Sequence, residues 1–363
     1  MPEPLKNLYN RKFIKSLANE LNGTCREFKS DKFIKAIFSK DWKNKELKQR
    51  MRHITETLHD FLPQDYRQAL DILKPASEKF GGLEPMFFPD YVECYGLADF
   101  EASITALEWM TRFSSSEFAV RPFIVKYPKK MMQQMVLWTK HENFHVRRLA
   151  SEGCRPRLPW AISLPEFKKD PTLVLRVIKK LKSDKSEYVR RSVANNLNDI
   201  SKDHPEVVMD IARQWLGKTE ETDRLIKHAC RTLLKSSDYK TLRLFGYKKP
   251  TQINMKNLKI STRVAMGGEL DFSFVLKLGE GSSRKKNLGK LRIEYAIDFV
   301  RTNNRVGRKM FKIAEGVYSG NEKRISKRHS FRPISTRRYY PGIHGFTLFV
   351  NGYEFGSKNF TLR

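Results

Sequence analysis

Apolar residues recur at helical spacing through roughly the first two thirds of the chain and at alternate positions through the rest. Phe33, Ile34 and Ile37 follow the capping pair Ser30-Asp31, and Leu47, Met51, Ile54 and Leu58 step by three and four residues up to a stop at Pro63. Such segments are short and separated by proline or glycine, a pattern that predicts stacked helical hairpins. From about residue 257 the period is two: Leu270, Phe272, Phe274 and Leu276 alternate with other residues, as do Leu291, Ile293, Tyr295, Ile297 and Phe299, then Phe346, Leu348 and Val350. The last run meets Asn351-Gly352 and then Tyr-Glu-Phe, which predicts a two-residue hairpin.

The helical part repeats. Val146-Arg-Arg aligns with Val189-Arg-Arg at an offset of 43 residues, and 189–197 aligns with 226–234 at an offset of 37, both near the HEAT period. The expected fold is therefore an all-α HEAT-like repeat solenoid followed by a small all-β immunoglobulin-like sandwich, although no Cys-Trp-Cys framework is present. The expected domains are 1–247 for the repeats, a polar linker at 248–256 containing Pro250, and 257–363 for the β-domain. Recurring basic residues would line one solenoid face, so Arg147, Arg190, Arg191 and Lys227 are candidate phosphate contacts, although a solvated helix face uses the same residues.

Charge narrows the partner. A formal net charge of +30 points to nucleic acid and disfavours a protein-binding adaptor. The segment from 257 onward carries 22 Lys/Arg and 8 Asp/Glu, with basic pairs at Lys323-Arg324, Lys327-Arg328 and Arg337-Arg338 beside Tyr339 and Tyr340. No apolar run suits a signal peptide or a membrane span, so no membrane association is expected and the cytoplasm is the expected compartment. Cys25, Cys94, Cys154 and Cys230 form no CxxC pair and read as reduced, small buried hydrophobes.

Within residues 121–160 there are nine lysines and arginines and two acids, one of which is Glu152 in VRRLASEGCRPRLPW. A carboxylate in a phosphate-binding frame either pairs with an arginine, here Arg148 or Arg155, or does chemistry. Glu117 in SSSEF fits a capping box with Ser114, and Trp160 after Pro159 would ordinarily be core. Taken together, the three suggest more: a Trp face attracts a cation, and two carboxylates can stabilise a cationic sugar or orient a water. His141-Glu142-Asn143-Phe144-His145 matches HExxH, but Lys140 and Arg147-Arg148 make it too basic for a zinc-protease helix and no third ligand stands out downstream. No metal is expected, and an exposed pair of helix histidines accounts for the match.

HVRRLASEGCRPRLPW, with ALEWMTRFSSSEFAVRPF before it and SEYVRRSVANNLNDISKDHP after it, resembles the AlkC-type alkylated-base DNA glycosylases of the HEAT-like repeat superfamily. The tail ISKRHSFRPISTRRYYPGIHGFTLFVNG resembles the immunoglobulin-like domain of one AlkC subgroup. The resemblance implies removal of cationic bases of the 3-methyladenine and 3-methylcytosine type from duplex DNA, without a base-flipping pocket, by a monofunctional enzyme needing no cofactor. It implies catalytic roles for Glu117, Glu152 and Trp160, and DNA contacts for Arg148 and Arg155, with Arg157 of the same motif taken as DNA-binding. A monomer associated with a bacterial nucleoid is expected. The competing reading is a non-catalytic basic HEAT-repeat scaffold for nucleic acid, in which Glu152 only orders arginines.

Overall fold

In the computed structural model the described residues are 3–279, 287–302, 305–334 and 337–363, so Ser335 and Thr336 of the quoted tail fall outside them. Short helices run to Leu244 and strands follow from Ile253, giving a HEAT-like repeat solenoid followed by an immunoglobulin-like β-sandwich. No helix among the described residues is long and apolar enough to cross a membrane.

The periodic apolar positions become core. Met51, Ile54 and Leu58 are buried on the helix Leu47–Phe61, whose C-cap Leu62 precedes Pro63. Phe33, Ile34 and Ile37 are buried on Ser30–Ile37. The expected Ser30-Asp31 cap does not form: Ser30 is the first helical residue, and its hydroxyl donates to the Ala18 carbonyl at 3.1 Å.

Two neighbouring helices carry the repeated Val-Arg-Arg motif. Phe144–Gly153 opens at Asn143, whose side chain accepts from the His145 amide at 2.9 Å, and buries Val146, Leu149, Ala150 and Gly153 at positions one turn apart. A Cβ on Gly153 would stand 2.6 Å from Val120 Cγ2, so glycine lets this helix lie directly against the helix Val120–Lys126. Glu187–Ile200 packs against Phe144–Gly153 on one side and Glu220–Ala229 on the other. The third repeat copy is broken within its motif, since Glu220–Ala229 ends and a separate helix, Arg231–Lys235, begins after Cys230.

The chain divides into two compact units, one running to His204 and including Trp215–Ala229, the other comprising Pro205–Gln214 and everything from Cys230 onward. The second unit takes in helical residues that the sequence grouped with 1–247, and several of those after Cys230 bond to strands. Ser237 donates to Glu294, Tyr247 to Glu315 at 2.6 Å, and Lys290 to the Phe245 carbonyl at 2.8 Å. The first strand opens at Ile253, within the expected linker 248–256.

The strands are β1 Ile253–Ile260, β2 Arg263–Val264, β3 Glu269–Leu278, β4 Gly289–Val300, β5 Val306–Tyr318, β6 Glu322–Ser330, β7 Gly342–Val350 and β8 Tyr353–Leu362. They form sheets of order β1-β3-β6 and β2-β8-β7-β4-β5. The alternating residues of β3, β4 and β7 meet in one core between the sheets. Asn351 and Gly352 join β7 to β8 with φ of 51° and 81°, the left-handed pair that a type I′ hairpin needs.

Candidate active site

Glu117 and Glu152 come together on one guanidinium. Glu117 lies in the turn before Val120–Lys126, half-buried, and its Oε2 accepts from Ser115 Oγ at 2.9 Å and from Arg148. Arg148 reaches back from its helix to Ser115 Oγ at 2.9 Å and to Glu152 Oε1, one turn further on, at 3.4 Å. Glu152 is 4 % exposed, and both its oxygens are engaged: Oε1 accepts from Arg155 at 2.6 Å and Oε2 from Ser192 at 2.6 Å. Arg155, also buried, extends the chain to Asp199 at 2.9 Å. A buried charge is costly unless it is paired and hydrogen-bonded, and here three carboxylates alternate with two guanidinium groups. Burial alone would lower the Arg148 pKa, but Glu152 and Glu117 outweigh it and raise it above the ordinary arginine value.

Neither of the milder readings of these residues holds unchanged. Glu117 forms no capping box, because the helix starts at Val120 and Ser114 Oγ donates instead to the Gly82 carbonyl at 3.0 Å. Trp160 is not core: it is 62 % exposed. Its φ of +64° lies in the left-handed region, and Lys48 Nζ donates to its carbonyl at 2.7 Å. The structure thus brings Glu117 and Glu152 into one network and sets Trp160 on an exposed turn in the segment that follows the Glu152 helix.

The repeated arginines separate into two kinds. Arg147 donates to the carbonyls of His141 at 2.9 Å and Glu142 at 2.7 Å and forms a paired contact with Asp184 at 2.6 and 3.0 Å. Arg190 repeats the first part, donating to the carbonyls of Asp184 at 2.6 Å and Lys185 at 3.0 Å. The first arginine of each motif therefore clasps the turn that precedes its own helix. Arg147 spends Nε, Nη1 and Nη2 on these bonds, whereas Arg190 spends Nη1 alone and also lines an open cleft. The second arginines differ from these: Arg148 joins the carboxylates, and Arg191 is exposed on a cleft of about 520 Å³ with Glu187, Arg224 and His228. Lys227 is exposed, and Arg157 pairs with Asp203 at 2.6 Å.

Glu117 and Arg148 line a cleft of about 360 Å³ together with Met86, Phe113, His145 and Tyr188. Arg148 sits over the Tyr188 ring, 5.0 Å from its centroid, and His145 meets the same ring edge-on at 5.9 Å. Burial and the nearby Arg148 lower the His145 pKa, which leaves the imidazole neutral at pH 7. The sequence did not single out Ser115, Tyr188, Ser192 or Asp199. Tyr188 had a signal, since it precedes Val189-Arg-Arg as His145 precedes Val146-Arg-Arg.

The HExxH segment is not one helix. His141 and Glu142 precede the N-cap Asn143, His141 Nδ1 accepts from the Asn143 amide at 2.9 Å, and its Nε2 is 3.5 Å from Glu108. The two histidines are half-buried rather than an exposed helical pair. Among the described residues no group of three His, Cys, Asp or Glu side chains could hold a metal ion. Cys154, next to the network, is buried, and burial pushes its thiol up to about 12, so it stays protonated.

Residues 34–236 match the family model of DNA alkylation repair enzymes, and residues 254–363 match that of the C-terminal Ig-like domain of the uncharacterised protein YhaZ. The chain is 46 % identical over 350 residues to YhaZ of Bacillus subtilis (strain 168), covering 96 % of each. It is also similar to the alkylpurine DNA glycosylase AlkC of Pseudomonas fluorescens, solved bound to DNA containing an abasic site analog. There the identity is 35 %, the TM-score 0.89, and the coverage 99 % of this chain and 100 % of that one.

Proposed function

The chain belongs to the family of DNA alkylation repair enzymes, and on that premise we propose that it is a monofunctional DNA glycosylase for cationic alkylated bases in duplex DNA. The observation that carries this reading is the sharing of Arg148 by Glu117 and Glu152, two carboxylates from separate elements, one of them on an open cleft. The similarity to an alkylpurine glycosylase over almost the whole chain supports it.

The chemistry asks little of an acid. A base alkylated to a cation leaves C1′ with the bonding electron pair and departs neutral, so no proton need be delivered to it. What must be stabilised is the oxocarbenium-like sugar, and a water must add to C1′ as its proton passes to a carboxylate. Glu117 and Glu152 take these roles, and Arg148 fixes their relative position. Phosphate oxygens compete with the carboxylates for Arg148 and Arg155, so docking of the DNA backbone frees carboxylate lone pairs toward the sugar. Trp160 offers its exposed face to the deoxyribose or the cationic base. No lysine is assigned as an amine nucleophile, so the product is an abasic site in an intact strand. The accepted lesions are of the 3-methyladenine and 3-methylcytosine type, and the enzyme acts as a cytoplasmic monomer.

The two ion pairs of Glu152 favour the competing scaffold reading, in which it only orders arginines. Incubation with methylated duplex DNA and identification of released bases separates the two. The scaffold releases none, and the glycosylase releases 3-methyladenine without cutting the strand.

A further inference from the structure

Arg121 is a cation enclosed by protein. It is fully buried on the helix that begins just after Glu117, and its bonds go to main-chain oxygens. Nη1 donates to the carbonyls of Gly153 at 2.8 Å and Arg155 at 2.9 Å, and Nε to that of Ile162 at 2.7 Å, while Nη2 has no partner among the described residues. Those three carbonyls bracket the turn that carries Trp160. Burial lowers the Arg121 pKa to about 10, which leaves it charged at neutral pH and costly to keep where it is. Hydrophobic packing would have filled this space at a lower free-energy cost.

Lys48 holds the same turn from outside. Its Nζ donates to the Trp160 carbonyl and stands 4.9 Å from the centroid of the Phe118 ring, next to Glu117. Trp160 itself is in a backbone conformation that an L side chain rarely adopts, and such a residue persists when its surroundings over-determine it. Here one cation grips the backbone two residues after it and a second grips its own carbonyl. Both grips originate from elements that also touch the Glu117 turn.

We propose that Arg121 and Lys48 are positioning residues that fix the Trp160 turn relative to Glu117 and Glu152. This rests on the glycosylase reading, in which the three side chains surround one sugar. A displacement of about 1 Å in such a constellation costs on the order of 100-fold in rate.

The test compares Arg121→Lys, Lys48→Met and, as a remote buried control, Leu17→Ala in the full-length protein. Three quantities are measured: single-turnover excision of 3-methyladenine, the Kd for duplex DNA with an abasic analogue across a salt series, and amide exchange over residues 158–164. Arg121→Lys should lower excision about 100-fold and Lys48→Met about tenfold. Both should accelerate exchange of the Ala161 and Leu164 amides, which close this turn on Leu158 and Pro156. Kd and salt slope should stay near wild type; a fall of the slope by about one in Lys48→Met would make it a phosphate contact instead and overturn its role here. Excision within about threefold of wild type in both variants, or an equal loss in Leu17→Ala, would overturn the proposal. If Arg121→Lys does not fold, Lys48→Met, at an exposed position, carries the test. A wild-type protein that released no base would remove the glycosylase reading, and the exchange arm would still decide whether the two cations hold the turn.

Discussion

The helices Phe144–Gly153 and Glu187–Ile200 carry the same motif 43 residues apart, and at the position where the first has Glu152 the second has Asn195. Their frames agree: a buried valine, a first arginine clasping the preceding turn through two carbonyls, and contacts to the corresponding helix of the next copy. Their payloads differ. Glu152 is held by Arg155 and Ser192, whereas Asn195 shares a hydrogen bond with His228 at 2.9 Å. Ser192, which replaces a leucine of the first copy, serves the carboxylate of its neighbour rather than its own repeat. A repeat scaffold can thus keep its clasp and its core while a few positions on the packed face give one copy a buried carboxylate–arginine network that the other lacks.

That difference should give the greatest loss of activity. Glu152→Gln and Glu117→Gln should each lower single-turnover excision by about 100- to 1,000-fold, the cost of removing one group aimed at transition-state charge. DNA affinity should hold or rise slightly, since each carboxylate competes with phosphate for Arg148 or Arg155. Equal rates in wild type and Glu152→Gln would reduce that residue to an arginine organiser like those of an ordinary repeat.

The shared clasp makes the next prediction. Arg147→Met removes two bonds to carbonyls and the paired contact with Asp184, whose carboxylate keeps only the Ser186 amide, costing about 3 kcal/mol. Arg190→Met loses two carbonyl bonds for about 1–2 kcal/mol. Urea melts of the two variants should rank them in that order, and the reverse order would mean that the clasp is not what the motif repeats. The Arg147 contribution should also depend on pH. The Arg147 hydrogen bond, against the opposing effect of burial, lowers the Asp184 pKa below its ordinary value of 3.8. Its share of stability is therefore complete above that value and disappears as pH falls through the lower folded value, so wild type and Arg147→Met should converge in acid.

A more modest change belongs to the turn that the second repeat lacks. At φ +64°, Trp160→Gly should be more stable than Trp160→Ala by about 1 kcal/mol, although both lose the indole. Equal melting temperatures would mean that the turn carries no left-handed strain.

The sequence announced what depends on periodicity and local chemistry. The alternating residues of β3, β4 and β7, the Asn351-Gly352 hairpin and the helix ending before Pro63 are set by near neighbours and could be read directly. Glu152 was legible as an odd carboxylate among arginines, whereas Glu117 and Arg148 were marked by the resemblance of their motifs. What escaped depends on contacts distant in sequence. The Ser114 box failed because its hydroxyl found the Gly82 carbonyl, 32 residues away. The first arginines looked like surface charge because the turn they close cannot be seen in a helical pattern. Arg121 looked like one more basic residue, and nothing in its neighbours marked it for burial beneath the Trp160 turn.

If the carboxylates joined by Arg148 break a glycosidic bond, base release from methylated duplex DNA by wild type, Glu117→Gln and Glu152→Gln at matched DNA occupancy will show it. Wild type should yield free 3-methyladenine and intact abasic strands, and either variant almost none. No release by wild type, or undiminished release by both variants, would contradict that role for the two glutamates.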